Sequence, residues 1–419
     1  TDLSSPYANA ADVGSLMILG ANTLQIPLIE RANQLGYNTL VISPNREEPG
    51  HKISKYSEYY DIRDEINIVK LAEKYNICGV ITDQTDLPVR TIAYVAEKME
   101  LPGNDYSVAC LFTDKFLMRE RCKELGIKTL KYKLCVNLED AISFFNSING
   151  AIIIKPIDNQ GSKGVYKVSN VEELIQKFQE SLRYSKQKKI LLEEFVIGQE
   201  FVVEGICVNH EFENLIIGDT HYFNIPDVFS ATMREFPSQA NNELINKILE
   251  LNKKIISGFN LKQGITHSEF IINGNDIILI EAAARGGGVF ISSDLISLQT
   301  GLNTEKFLID LATGKISSIP EHLSLDRSSC YVSFFLPVGK VIAINGIEEI
   351  CKLDYIYHNN LSNIKLGMKT KPFTDKTARF FSIVSASNHE ELMKRVQFLK
   401  KKLKIVVLTD RGEQGPIWR

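Results

Sequence analysis

The chain has 419 residues, of which 44% are hydrophobic and 24% charged, with a net charge of -3 from 48 basic and 51 acidic side chains. That length exceeds one ordinary core, so two to four domains are expected, and the composition excludes intrinsic disorder. The balanced charge gives no field that would hold a nucleic-acid backbone non-specifically, and no apolar run reaches the length of a membrane span.

The first residues, "TDLSSPYANAADVGS", combine no basic region with no apolar one, so 1–13 reads as a polar lead-in rather than a signal peptide. Seven cysteines are scattered without a CxxC pair, which points to free thiols in a reducing compartment and a cytoplasmic location. "SLMILGAN" is then a short apolar strand ending at Gly20. Leu24, Leu28, Ile29, Ala32 and Leu35 follow at helical spacing. The strand "NTLVISPN", the amphipathic helix "EINIVKLAEKYN" and the strand "CGVITD" continue a βαβαβ rhythm, which predicts a parallel sheet over 14–105. "GANTLQ" is not GxGxxG, because Asn22 stands where a glycine would admit a pyrophosphate, so a nicotinamide cofactor is not expected.

From 106 the pattern changes. "DYSVACLFTDKFLMRERCKELGI" reads as a charged helical stretch, and strands and short helices then alternate in an α+β manner to about 325. After that come strand-like "SSCYVSFFLP" and "ARFFSIVSAS" and the helix "NHEELMKRVQFLKKKL", which make a small α+β unit over 326–419.

Three segments carry chemistry. In "IIIKPIDNQGSKGVYKV" an apolar strand ends at Lys155, and a Gly-rich loop with Ser162, Lys163 and Gly164 offers amides and cations to a phosphate, although a plain hairpin turn has the same composition. "LLEEFVIGQEFVVEG" places Glu193 and Glu194 at a strand end and Glu200 seven residues beyond Glu193. This spacing suits adenine and ribose, but also two strands with solvent-facing acids. In "HSEFIINGNDIILIEAAAR" a hairpin turning at "NGND" brings Glu269 near Glu281, and paired carboxylates suit magnesium.

In this order the segments resemble the ATP-grasp superfamily, over most of the chain, in the branch of L-amino acid ligases, biotin carboxylases and carbamoyl-phosphate synthases. The resemblance implies a Rossmann-like pre-ATP-grasp domain at 14–105, an ATP-grasp domain at 106–325 with a lid at about 130–197, and a trailing α+β domain at 326–419. It implies ATP as the nucleotide and Mg2+ as the metal, with Mn2+ as an alternative. Lys115 in "TDKFLMRE" and Lys155 become the ATP lysines, and Ser162, Lys163 and Gly164 the phosphate lid. Glu193, Glu194 and the Val196 backbone are assigned to adenine, and Glu200 to ribose. Glu269 and Glu281 become the metal acids. Arg285, four residues after Glu281, would hold the transferring phosphoryl group, with the amides of Gly286, Gly287 and Gly288 approaching the same oxygens. His221, Tyr222, Arg234, His267 and Gly288 are candidates for the acyl-substrate side.

The implied reaction joins a small carboxylate, activated as an acylphosphate, to an amine, releasing ADP and phosphate. A carboxylase-like or carbamoyl-phosphate-like enzyme and a nucleotide binder without turnover are the alternatives. Relatives of this build are often homodimers, so a homodimer acting on small molecules is expected. One departure stands out: Ala283 occupies a position where many members carry an asparagine that helps hold a second magnesium.

Overall fold

A computed structural model describes residues 14–157, 164–226, 228–321 and 324–419. The lead-in 1–13 falls outside the described residues, as do Ser162 and Lys163 of the phosphate loop.

The N-terminal unit is a parallel four-stranded sheet of β1 (Ser15–Leu19), β2 (Asn38–Ile42), β3 (Tyr56–Glu58) and β4 (Ile77–Ile81), in the order β3-β2-β1-β4. Helices Ile26–Gln34, Glu65–Lys74 and Val89–Lys98 connect and follow the strands. Crossover helices cover both faces of such a sheet, which is why Leu16, Met17, Ile18 and Leu19 are all fully buried and the run shows no alternation. The turn after β4, residues 82–86, ends the sheet on the side facing the rest of the molecule. There Gln25 donates to the Asp83 carbonyl at 2.8 Å and Thr82 to that of Leu19 at 2.8 Å.

The stretch read as one charged helix is two, Tyr106–Thr113 and Lys115–Glu124. Asp114 leaves helical geometry between them, and its carboxylate accepts from the amides of Phe116 and Leu117, capping the second helix. This cap puts Lys115 at the first helical position and Arg119 one turn on, so both side chains project from the same face.

A four-stranded antiparallel sheet follows, of β5 (Tyr132–Cys135), β6 (Ile152–Pro156), β7 (Tyr166–Val168) and β8 (Ile190–Glu194), in the order β5-β8-β6-β7. Ile152, Ile154, Ile190 and Leu192 pack with Phe144 and Phe178 of the helices Leu138–Ser147 and Val171–Arg183 into a separate small core.

The largest sheet comprises β9 (Glu200–Val208), β10 (Glu211–Tyr222), β11 (Ala231–Phe236), β12 (Gly264–Asn273), β13 (Asp276–Ala283) and β14 (Ser328–Phe335). Two strands of the trailing region extend it, β16 (Ile356–Asn359) and β17 (Arg379–Ala386), whereas β15 (Lys340–Asn345) lies outside it. Its order is β13-β12-β9-β10-β11-β14-β17-β16, so it runs without a break past residue 325 into the C-terminal region. There β15, β18 (Lys404–Thr409) and β19 (Gly412–Gln414) form a small third antiparallel sheet, and helix His389–Lys402 packs on β14 and β17. Phe201, Val203, Phe270 and Leu279 share one core with Ile248 and Ile255 of helix Asn242–Gly258. The period of two along a strand then sends Glu200, Glu204 and Glu269 to the opposite face. That face is the floor of the site.

Candidate functional site

The floor is assembled by strand register. His267 pairs with Ala283 on one side and Glu204 on the other, and in the next row Glu269 pairs with Glu281 and Val202. Directly opposed residues point to the same face, so Glu269 and Glu281 stand side by side across the strands. Two like charges so placed repel unless cations are near. Here each has its own cation: Lys115 Nζ lies 2.9 Å from Glu281 Oε1, and Arg234 Nη2 lies 2.7 Å from Glu269 Oε1. Burial disfavours the Glu269 anion, yet Arg234 and His267 hold its carboxyl well below the usual range. Lys115 is half-buried, and although desolvation opposes its charge, Glu281 and Asp86 keep it above its ordinary value.

At the rim, β8 and helix Lys115–Glu124 bring a triad together. Arg119 Nε donates to Glu193 Oε1 at 2.8 Å, and Lys155 contacts the other carboxylate oxygen. The side chains of Arg119, Glu193 and Lys155 are 0%, 3% and 10% exposed. Desolvation alone would raise Glu193, but the two cations pull its carboxyl down to about 2. Arg119 Nη2 also donates to the Ile280 carbonyl at 2.6 Å, tying the triad to β13. Glu200 is different. Tyr222 Oη donates to it at 2.7 Å, but burial and the nearby Glu269 push its carboxyl up to about 7.

The Gly-rich turn is clamped from two directions. Arg285 points its Nε and Nη2 at the two oxygens of Asp86, each at 2.8 Å. The Gly286 amide donates to Asp83 at 3.2 Å, the Gly287 amide to Glu204 at 2.9 Å and the Phe290 amide to Gln84 Oε1 at 2.8 Å. The amides of Gly286 and Gly287, expected to approach substrate oxygens, therefore face protein carboxylates. Val289 and Phe290 both adopt positive φ, 51° and 63°, an uncommon geometry for bulky residues that the clamp maintains. A Cβ on Gly287 would lie 2.5 Å from Glu204 and one on Gly286 2.1 Å from Ser292, so close approach dictates both glycines. Beyond the turn the chain enters a π-helical turn at Ile291–Leu295 before helix Ile296–Thr300.

Glu204 is fully buried and binds His267 Nδ1 as well as the Gly287 amide. His267 Nε2 lies 3.2 Å from Glu269 and 3.3 Å from Arg234 Nη1. Although burial opposes it, Glu204 and Glu269 raise His267 above its ordinary value. An imidazolium there donates Nδ1–H to Glu204 and Nε2–H to Glu269.

The residues singled out in the sequence thus divide. Lys115, Lys155, Glu193, Glu200, Tyr222, Arg234, His267, Glu269, Glu281 and Arg285 converge on the floor and rim through the contacts above. Glu194 alternates away from Glu193 and accepts from the Lys131 amide at 2.8 Å. Val196 packs by Leu130, Ile271 and Ile278, and Gly164 packs under Tyr184 and Pro156. Gly288 sits in the clamped turn, its Cα facing the Gln84 carbonyl. His221 is not brought in. As the odd neighbour of Tyr222 it lies on the other face of β10, 2.7 Å from Glu235, beside His389 of the C-terminal helix. The sequence reading overlooked Asp83, Gln84, Asp86, Arg119 and Glu204. Of these only Arg119 left a local signal, one helical turn beyond Lys115.

Comparison with known proteins places these features. The protein-family model of the ATP-grasp domain matches residues 148–294. An alanine–anticapsin ligase of Bacillus subtilis (strain 168) is 28% identical over 291 residues, which is 64% of this chain and 60% of that protein, so the chain spans less than two thirds of that relative's length. The solved L-amino acid ligase of Bacillus licheniformis superposes with a TM-score of 0.78 at 20% identity, covering 94% of this chain and 99% of that one. The biotin carboxylase domain dimer of Hydrogenobacter thermophilus 2-oxoglutarate carboxylase, solved with MgADP and bicarbonate, gives a TM-score of 0.74 at 15% identity over 96% of this chain and 91% of its own. Residues 148–294 thus match the ATP-grasp domain family, and the chain adopts the ATP-grasp fold, with its clustered lysines, acids and clamped arginine between a Rossmann-like N-terminal domain and a small C-terminal α+β unit.

Proposed function

We propose that the protein is an ATP-dependent carboxylate–amine ligase of small, amino-acid-like substrates, releasing ADP and phosphate. The observation that carries this reading is the cross-strand pair Glu269 and Glu281, each neutralised by a cation, Arg234 or Lys115. Two adjacent carboxylates are the donors that Mg2+ takes from a protein when substrate phosphates and water complete its shell. Among the described residues no group of three or more acids, histidines or cysteines encloses a metal, which accords with a site finished by the substrate. Ala283 adds no oxygen and its cross-strand neighbour His267 is committed to Glu204, so two carboxylates are the donor set of this face. A bound Mg2+ supplies charge neutralisation at the phosphates.

The chain's own residues do the rest by placement. Lys115 and Lys155 exchange their carboxylate partners for phosphate oxygens, and Glu200 accepts from a ribose hydroxyl. A carboxylate oxygen of the acid substrate attacks the γ-phosphorus, the bond to the β-phosphate oxygen breaks and ADP leaves. Arg285, released from Asp86, holds the acylphosphate oxygens, while Asp86 becomes available to the ammonium of the amine. The amine, its ammonium proton passed to Asp86, attacks the carbonyl carbon, the carbon–oxygen bond to phosphate breaks, and inorganic phosphate departs carrying the second nitrogen proton. Such chemistry needs positioning and charge more than covalent help. Relatives whose names identify them as an alanine–anticapsin ligase and an L-amino acid ligase support the substrate class. The biotin carboxylase dimer supports a homodimer. No helix among the described residues is long and apolar enough to cross a membrane, and the scattered free cysteines support a reducing, cytoplasmic location.

The test is a screen of amino-acid and small-acid pairs for ATP-dependent phosphate release. Release that requires both partners and disappears in Glu281→Gln is expected. Nucleotide binding with no release on any pair would sink the ligase reading.

A further inference from the structure

A polar cavity of about 240 Å3 lies away from the floor, where helix Ile26–Gln34 of the N-terminal domain meets the start of helix Thr304–Ala312 and the turn after the glycines. Glu30, Arg31, Ser293, Ser297, Asn303 and Glu305 line it. A single water needs only ~10–15 Å3 of such space, so the cavity has room for a small molecule. Glu305 is only 8% exposed, yet among the described residues no side chain bonds or ion-pairs with its carboxylate; its own amide is the one donor. Burial pushes its carboxyl up to about 7, with Asp83 and Asp294 adding to the rise and Arg31 opposing it. A buried carboxylate without a partner is expensive unless a ligand or water supplies one. Arg31 faces the same space, and among the described residues it forms no ion pair, with Glu305 or any other acid.

An anion on one wall, a cation on another and hydroxyls between them complement a small molecule that carries both charges. The cavity also reaches the clamped turn. Gln84 donates to Ser293 Oγ at 3.3 Å through Nε2 and accepts from the Phe290 amide at 2.8 Å through Oε1, so one side chain touches both the cavity wall and the turn that carries Arg285. We propose that this cavity is a second small-molecule site, for a zwitterion of the amino-acid class, with its ammonium on Glu305 and its carboxylate on Arg31, coupled to the Gly-rich turn through Gln84. It stands apart from the metal acids and does not depend on the ligase reading.

The test is calorimetric titration of the full chain, without nucleotide, with each standard amino acid, and with methylamine and acetate as half-ligands. At least one amino acid is expected to bind in the millimolar range or tighter, with neither half-ligand matching it. Glu305→Gln and Arg31→Met are each expected to weaken binding by about tenfold or more, the loss of one charge-assisted contact. Ser297→Leu, which fills the space and leaves both charges, is expected to abolish it. Glu281→Gln is expected to leave it unchanged, since that acid lies in the metal site. Thermal melts of each variant verify folding. Absence of binding by every amino acid overturns the proposal, and so does binding lost in Glu281→Gln but kept in Glu305→Gln and Ser297→Leu, whatever the phosphate-release screen shows.

Discussion

At the scale of single residues, charge and burial set opposite demands on neighbouring acids. Glu193 is held down to about 2 by Arg119 and Lys155 against its desolvation, so its contribution to stability is present above its unfolded value of 4.5 and is lost as pH falls toward 2. Glu200 has the reverse sign. Its folded carboxyl keeps its proton up to about 7, chiefly by desolvation, whereas the unfolded chain releases that proton near 4.5. Between those values the folded state binds more protons, so stability falls as pH rises from 4.5 to 7. Glu200→Gln removes this dependence. Its melting temperature relative to the native chain is expected to rise by a few degrees between pH 4.5 and 7.5 and to stay level outside that window. An offset that ignores pH would show that burial does not govern this acid. The triad gives a larger effect. Arg119→Met leaves Glu193 buried with one cation, and losing one partner of a buried pair costs about 3–5 kcal/mol. Urea unfolding of this variant is expected to show a loss of that order, and a loss below ~1 kcal/mol would mean that Lys155 suffices.

At the scale of elements, the linker from β8 into β9 has a fixed geometry. A Cβ on Gly198 would stand 1.8 Å from the Ile272 carbonyl oxygen, and the Ile272 amide donates to Gln199 at 3.0 Å. The backbone of the linker is thus pressed against β12, and Glu200 begins the next strand two residues later. Gly198→Ala must push the linker away and take Glu200 with it. ATP binding measured by calorimetry is expected to weaken about tenfold or more while the melting temperature falls little, and native-like affinity would show that the linker tolerates displacement. Elements were the most legible level of the sequence. The βαβαβ rhythm of 14–105 announced a parallel sheet with covering helices, and "NGND" announced the hairpin that sets Glu269 opposite Glu281. The break at Asp114 was missed because the residues on both sides favour helix, and only the cap, a single side chain taking two amides, separates them. That β14 and β17 extend the central sheet was hidden for another reason: strand pairing across ~100 residues leaves no local pattern.

At the scale of the whole molecule, the site belongs to no single domain. Lys115, Glu269, Glu281 and Arg285 could be picked out by the order of their motifs. Asp83, Gln84 and Asp86 could not, because a turn after a strand acquires its meaning only when another domain docks against it. These three fix the Gly-rich turn from the N-terminal domain, and the Asp86–Arg285 fork is the strongest of their contacts, with side chains 21% and 12% exposed. Burial opposes both charges, yet Arg285 holds the Asp86 carboxyl below its ordinary value and Asp86 raises Arg285, so each keeps its charge because the other stays beside it. If the pair carries the docking of the domains, the two residues must be energetically coupled. A cycle of Asp86→Ala, Arg285→Ala and the double variant, followed by urea unfolding, is expected to give a coupling energy of about 1–3 kcal/mol. Repeating the cycle with ATP, Mg2+ and the acid substrate should reduce that coupling, because the proposed mechanism moves Arg285 from Asp86 to the acylphosphate oxygens. A coupling near zero without ligand would mean that the fork is a consequence of docking rather than its cause. A coupling unchanged by ligand would mean that Arg285 stays on Asp86 during turnover, which would remove it from the proposed mechanism.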